Sequence, residues 1–141
     1  MAVSKDVGKE LRELKFNRRI KKIIRGIKSM EVKEDLWKVS SSFEDLYHDV
    51  SRLSFNQGMY ARIFMESDDE RTSDLMTRMV ALQQSISLEF YSLKQELGLK
   101  FDDIDRLSAI RRLNKTKDTF DRLKVLVVKF DKYMSRDVGV F

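Results

Sequence analysis

From Val32 to Phe64 the apolar side chains step along the chain by four and three residues in strict alternation. The series runs Val32, Leu36, Val39, Phe43, Leu46, Val50, Leu53, Gln57, Tyr60 and Phe64, with Gln57 as its one polar member. Such alternation is a heptad seam, the mark of a helix packed along its whole length. Trp37, Tyr47, Met59 and Ile63 widen the apolar face beyond what a two-stranded coiled coil needs, which suits a helix inside a bundle. Ser41 and Glu44 have capping-box spacing and offer a competing start. The seam keeps its phase across them, so one continuous helix is predicted over 32–66. Gly58 weakens it by up to about 1 kcal/mol relative to alanine and marks a close crossing or a break.

Upstream, Phe16, Ile20, Ile23, Ile24 and Ile27 share one face of a second helix, while Lys15, Arg18, Lys22 and Arg25 share the opposite face. Val7, Leu11 and Leu14 form an earlier stripe rotated away from the first, so this segment either contacts two neighbours or bends near Asn17. Downstream, "MESDDERTSD" ends one helix and begins another: Ser67 and Glu70 have capping spacing, and Asp68 and Asp69 suit the positive end of a helix dipole. Leu75, Met79, Leu82, Ile86, Phe90, Leu93 and Leu97 mark that helix, with Gly98 placed to end it in a left-handed conformation.

Asp102 or Asp103 is set to cap a further segment carrying Ile104, Leu107, Ile110 and Leu113, and Phe120, Leu123, Val127, Phe130 and Met134 continue the pattern. The spacing allows one helix over 103–135 or a break at "NKTKD". The ending "RDVGVF" has no helical period. The elements together predict an all-α antiparallel bundle of four to five helices with one long central helix. They form a single domain over 1–141, with a basic N-terminal helix within 1–30 and a short tail at 137–141.

Composition supports that reading. A chain of 141 residues, 42% hydrophobic, can bury a core as one unit. It has no proline and five glycines, which favours long uninterrupted helices. Cysteine is absent, which excludes disulfides, thiolate nucleophiles and sulfur-ligated zinc. No apolar run is long enough to span a bilayer and the N-terminus lacks a signal-peptide core, so a cytoplasmic protein is expected. Charged residues reach 36%, a bias shared with thermophile proteins.

Catalytic chemistry is sparse. His48 is the only histidine; Asp45 and Glu44 stand three and four residues before it, only half of one ligand pair of a ferritin-like metal site. Glu31 with Glu34, and Glu66 with Asp69, are acidic pairs of the kind that hold Mg²⁺ in all-helical nucleotide hydrolases, yet both lie near helix ends. Phosphate loops, Ser-His-Asp sets and dinucleotide fingerprints are missing. A non-enzyme with no cofactor and no metal is therefore expected. Gln57 is a candidate register or interface residue, since a polar group in an apolar seam can select pairing. Seven methionines suit a core or an adaptable surface.

Charge is concentrated at one end. Residues 1–30 hold ten Lys and Arg against three Asp and Glu, a net of +7, whereas the whole chain carries +5. Within "FNRRIKKIIRGIK" and the preceding lysine stand Lys15, Arg18, Arg19, Lys21, Lys22, Arg25 and Lys28 without one acidic residue. A merely solvated helix face mixes signs, because Glu-to-Lys pairs stabilise it and like charges repel. The sequence thus points to nucleic acid, held through its phosphates with little base reading. The alternatives are assembly with a partner protein or as a homo-oligomer or filament, a Mg-dependent nucleotide hydrolase, and, less favoured, an anionic membrane surface.

Overall fold

Each apolar seam needs neighbours, and the fold supplies two to every helix. The computed structural model describes the backbone of residues 9, 11–65 and 70–140, and the side chains of 9, 11–52, 70, 73–130 and 132. Four helices follow a helical turn at 11–14: α1 (Phe16–Lys28), α2 (Lys33–Met65), α3 (Glu70–Leu97) and α4 (Arg106–Val140). One 3-10 turn, Phe101–Asp103, precedes α4. There is no strand among the described residues, and the fold is an all-α bundle.

α1 packs on α2, α2 on α3, α3 on α4, and α4 returns to α1, so α1 stands diagonally opposite α3. Neighbours run antiparallel. Ser40, Glu44 and Val50 of α2 meet Leu97, Lys94 and Gln83 of α3 in reverse order. The core fills the space between all four helices: Phe16, Ile20, Ile23 and Ile27 from α1, Phe43 and Leu46 from α2, Ile86, Phe90 and Leu93 from α3, and Leu113, Phe120, Leu123 and Phe130 from α4.

The long helix is continuous through the serines at 40–42 and through Gly58, as the unbroken seam implies. Its start is held by Asp35, whose carboxylate accepts hydrogen bonds from the N–H groups of Glu31 (2.8 Å) and Val32 (3.2 Å). These bonds hold the Asp35 carboxyl below its ordinary pKa. Val32 itself is exposed, and Trp37 is 74% exposed, so neither joins the core. Helix packing takes the seam up only from Leu36 onward.

Three boundary expectations change. Helix α3 ends at Leu97 without a left-handed glycine; the Gly98 N–H bonds the Lys94 carbonyl at 3.1 Å and no described glycine has positive φ. Helix α4 is capped by Asp105, which accepts from the Ser108 N–H at 3.1 Å, while Asp102 and Asp103 belong to the 3-10 turn. It then runs without a break through "NKTKD" and on to Val140, so the backbone of the expected tail is helical through residue 140, and Phe141 lies outside the described residues. Ser67, Asp68 and Asp69 lie outside the described residues.

A register difference in α3 matters more. The residues that reach the core are Met76, Met79, Gln83, Ile86, Phe90, Leu93 and Leu97, whereas Leu75 and Leu82 are half-buried on its flank. Leu82 lines a groove against α4 instead, and the amide of Gln83 occupies the core at 2% exposure. Likewise Leu107 is 74% exposed, because Ala109 and Leu113 face inward at that level. Helices α3 and α4 are joined by Arg112, which donates to Glu89 at 2.6 Å and also to Glu96. Burial works against the guanidinium charge, but the two carboxylates more than offset it and hold its pKa above the ordinary value.

Candidate nucleic-acid interface

The basic segment is positioned by its own apolar residues. After Leu11 and Leu14, helical continuation would bring Arg18 inward next, but Phe16 and Ile20 are the side chains available for burial. The chain resolves this at Lys15, which takes a left-handed conformation (φ 50°, ψ 43°) and resets the phase of the helix. A non-glycine residue there costs about 1–2 kcal/mol. Burial of Leu11 and Leu14 before the bend, and of Phe16, Ile20, Ile23, Ile24 and Ile27 after it, offsets that cost. The bend expected near Asn17 thus falls two residues earlier, and Leu11 and Leu14 of the first stripe are buried together with the second; Val7 lies outside the described residues.

With Phe16, Ile20, Ile23 and Ile27 turned inward, helical geometry turns Lys15, Arg18, Lys22 and Arg25 outward. Those four, with Lys21 and Lys28, are exposed, and none has a carboxylate partner among the described residues. Lys15 to Arg25 spans about 15 Å of helix. Arg25 and Lys28 also complement the negative end of the α1 dipole.

Arg19 separates from the group. It points along the α2 side, donating to Asp49 at 2.6 Å, and Arg52 reaches the same carboxylate at 3.4 Å. On the α4 side, Asn17 donates to Asp121 at 2.8 Å and Lys124 lies 3.4 Å from it. The hydrogen bond from Asn17, followed by Lys124 and Lys117, holds the Asp121 carboxyl below its ordinary pKa despite partial burial. Two carboxylates that reach α1 are therefore occupied by cations or amides, and its outward face stays positive.

Gly26 fixes how closely this helix sits on α2. A Cβ at that position would stand 2.9 Å from Cγ2 of Val39. At the other end of α1, a cavity of about 380 Å³ opens between the bend and α4, lined by Leu11, Arg12, Lys15, Phe16, Asn17, Arg18, Phe120 and Lys124. Four of those lining residues are cations and none is an acid. The first N–H groups of α1 lie at this end, where a helix favours anions.

Arg12 and Lys124 were not legible as members of the face. Lys117 and Lys124 do stand seven apart beside the α4 seam, but nothing in their spacing tells which neighbour that flank meets. The remaining candidates are not brought together. His48 is exposed and lies 3.3 Å from Glu44, which also pairs with Lys94 at 3.1 Å. Among the described residues no group of three or more His, Cys, Asp or Glu is arranged to hold a metal ion, and Glu66 and Asp69 are not among them. The side chain of Gln57 also lies outside the described residues. No described helix is long and apolar enough to cross a membrane. No protein-family model matches the chain, and neither curated proteins nor solved structures give a significant match.

Proposed function

We propose that α1 binds nucleic acid through its outward cationic face, holding the phosphate backbone with little reading of base sequence. The observation that carries this reading is the line of six exposed cations, Lys15, Arg18, Lys21, Lys22, Arg25 and Lys28, free of carboxylate partners among the described residues. The one amide among them, Asn17, is engaged with Asp121, and no exposed aromatic or glutamine side chain of α1 stands beside the cations to stack on a base or read its edge. A stripe about 20 Å long covers the axial length of roughly twelve duplex phosphates, more than the cations present can neutralise. The cationic cavity beside Lys15 and Lys124 supplies a concave end to the stripe, where a phosphate meets the start of α1.

The test replaces Lys15, Arg18, Lys22 and Arg25 by glutamine, which keeps helix propensity and leaves the buried face intact. Wild-type protein should bind mixed-sequence duplex in low salt, and four contacts predict a log-log salt slope of about −3.6. The variant should melt like the wild type and lose both affinity and most of that slope. Absence of wild-type binding to duplex, single-stranded DNA and RNA in low salt would overturn the reading.

A further inference from the structure

We propose that a second copy of this chain docks on the outward face of α3, with Tyr91 of each copy seated in the groove between α3 and α4 of the other. In a protein that is 36% charged, the outward positions of α3 from Ala81 to Gln95 carry no charge. They are Ala81, Gln84, Ser85, Leu88, Tyr91, Ser92 and Gln95, all exposed. Ala81, Gln84, Leu88, Tyr91 and Gln95 repeat the alternation of three and four that marks a packing seam, on the side of the helix turned away from its own core. Leu88 is 71% and Tyr91 56% exposed.

This face holds both a projection and a recess. The recess is an open, largely apolar groove of about 470 Å³ lined by Arg78, Ala81, Leu82, Arg122, Val125 and Leu126. It lies on the α4 edge of the face. Tyr91 lies on the α2 edge, three residues before Lys94, which pairs with Glu44 and covers Tyr47 of α2. Along the helix the two are ten residues apart, about 15 Å.

A twofold axis lying in the plane of this face at the level of Ile86, perpendicular to the line from Tyr91 to the groove, sets the two copies face to face with their α3 helices crossed. It carries Tyr91 of one copy onto the groove at Ala81 of the other, and the reverse contact follows by symmetry, as an isologous interface requires. The same axis brings the two Leu88 side chains together beside it. The ring of Tyr91 would enter between Arg78 and Arg122, an arrangement that favours an aromatic face.

The argument for a second copy, over another partner, is charge. Each molecule carries +5, so two copies repel least where the surface between them is uncharged, as it is from Ala81 to Gln95, and of the two arginines at the groove Arg78 is paired with Asp74 at 3.2 Å. A face this size is small beside stable interfaces of roughly 1,200–2,000 Å² in total, so the dimer is reversible and concentration-dependent.

Sedimentation of the full chain over a concentration series tests this. The wild type should pass from monomer to dimer, and Leu88→Lys or Tyr91→Lys should raise the dissociation constant by at least about tenfold. Both residues are exposed, so melting should be unchanged. Because the chain has no cysteine, single cysteines report geometry: with a short bis-maleimide, Ala81→Cys should link to Tyr91→Cys in a mixture, and Leu88→Cys to itself. A wild type that stays monomeric, a dimer indifferent to both lysine variants, or preferential linking of Ala81→Cys to itself would each overturn the proposal. None of these outcomes depends on whether α1 binds nucleic acid.

Discussion

Phe16 stacks on Phe120 with ring centroids 4.1 Å apart and planes 18° from parallel, and its other neighbour, Phe90, lies stacked at 5.6 Å. The first residue of the shortest helix is thus clamped between the two helices that α1 reaches across the core. Phe16→Ala should cost about 3–5 kcal/mol, read as a lower denaturant midpoint. Hydrogen exchange should show the loss concentrated in α1, because its remaining buried side chains are aliphatic and the aromatic clamp has gone. Uniform loss across all four helices would contradict this account.

Gly26 makes a test in which two effects oppose each other. Alanine there gains up to about 1 kcal/mol of helix propensity. The new Cβ would stand 2.9 Å from a methyl of Val39, a buried β-branched side chain with little room to turn. Overpacking of this kind costs about 1–3 kcal/mol, so Gly26→Ala should destabilise by about 1 kcal/mol net. Adding Val39→Ala should then cost less in the Gly26→Ala background than in the wild type, a coupling that a double-mutant cycle measures.

Gln83 is buried with its Nε2 donating to the Val50 carbonyl at 3.5 Å, while its Oε1 has no partner. A buried amide so poorly satisfied is expensive. Gln83→Leu, which keeps the volume, should raise stability by about 1–3 kcal/mol, with the midpoint of urea unfolding moving up at constant slope. No change or a loss would mean that the amide contributes more than its geometry indicates.

Asp121 gives a pH dependence whose sign is set by its lowered pKa. Its hydrogen bond from Asn17 favours the charged form, so its stabilising contribution is present above the ordinary carboxylate value of 3.8. That contribution is lost as pH falls through the lower folded-state value. Asn17→Ala should move the Asp121 titration upward in a carboxyl NMR experiment, part of the way only, since Lys124 and Lys117 remain.

The architecture was legible because periodicity reports burial directly. The seam from Leu36 to Val50 and the two faces of α1 appear in the structure as they stand in the sequence. Register in α3 was harder, since Leu82 and Gln83 compete for one inward position and hydropathy favours the wrong one. What decides is the flank turned to α4, where Leu82 stays half-buried in the wall of the groove and leaves the amide to the core. Lys15 was illegible for a similar reason: lysine has no preference for a left-handed conformation, and only two stripes out of phase reveal that something between them must turn. Of the candidate site, six of seven cations share one exposed face, while Arg19 is withdrawn by an aspartate thirty residues away that no local pattern pairs with it.

Because α1 and α3 stand at opposite corners, the side that bears the chain's positive excess and its uncharged side look in opposite directions. Such a body is electrically lopsided: near a polyanion it experiences a torque before it touches, and it arrives already oriented. The far side remains free on arrival. Copies joined there would carry their cationic sides facing away from each other, so one dimer could not close both on the same stretch of backbone. It would act as a two-valent tether between separate stretches, with a strength governed by how often the second stretch comes within reach.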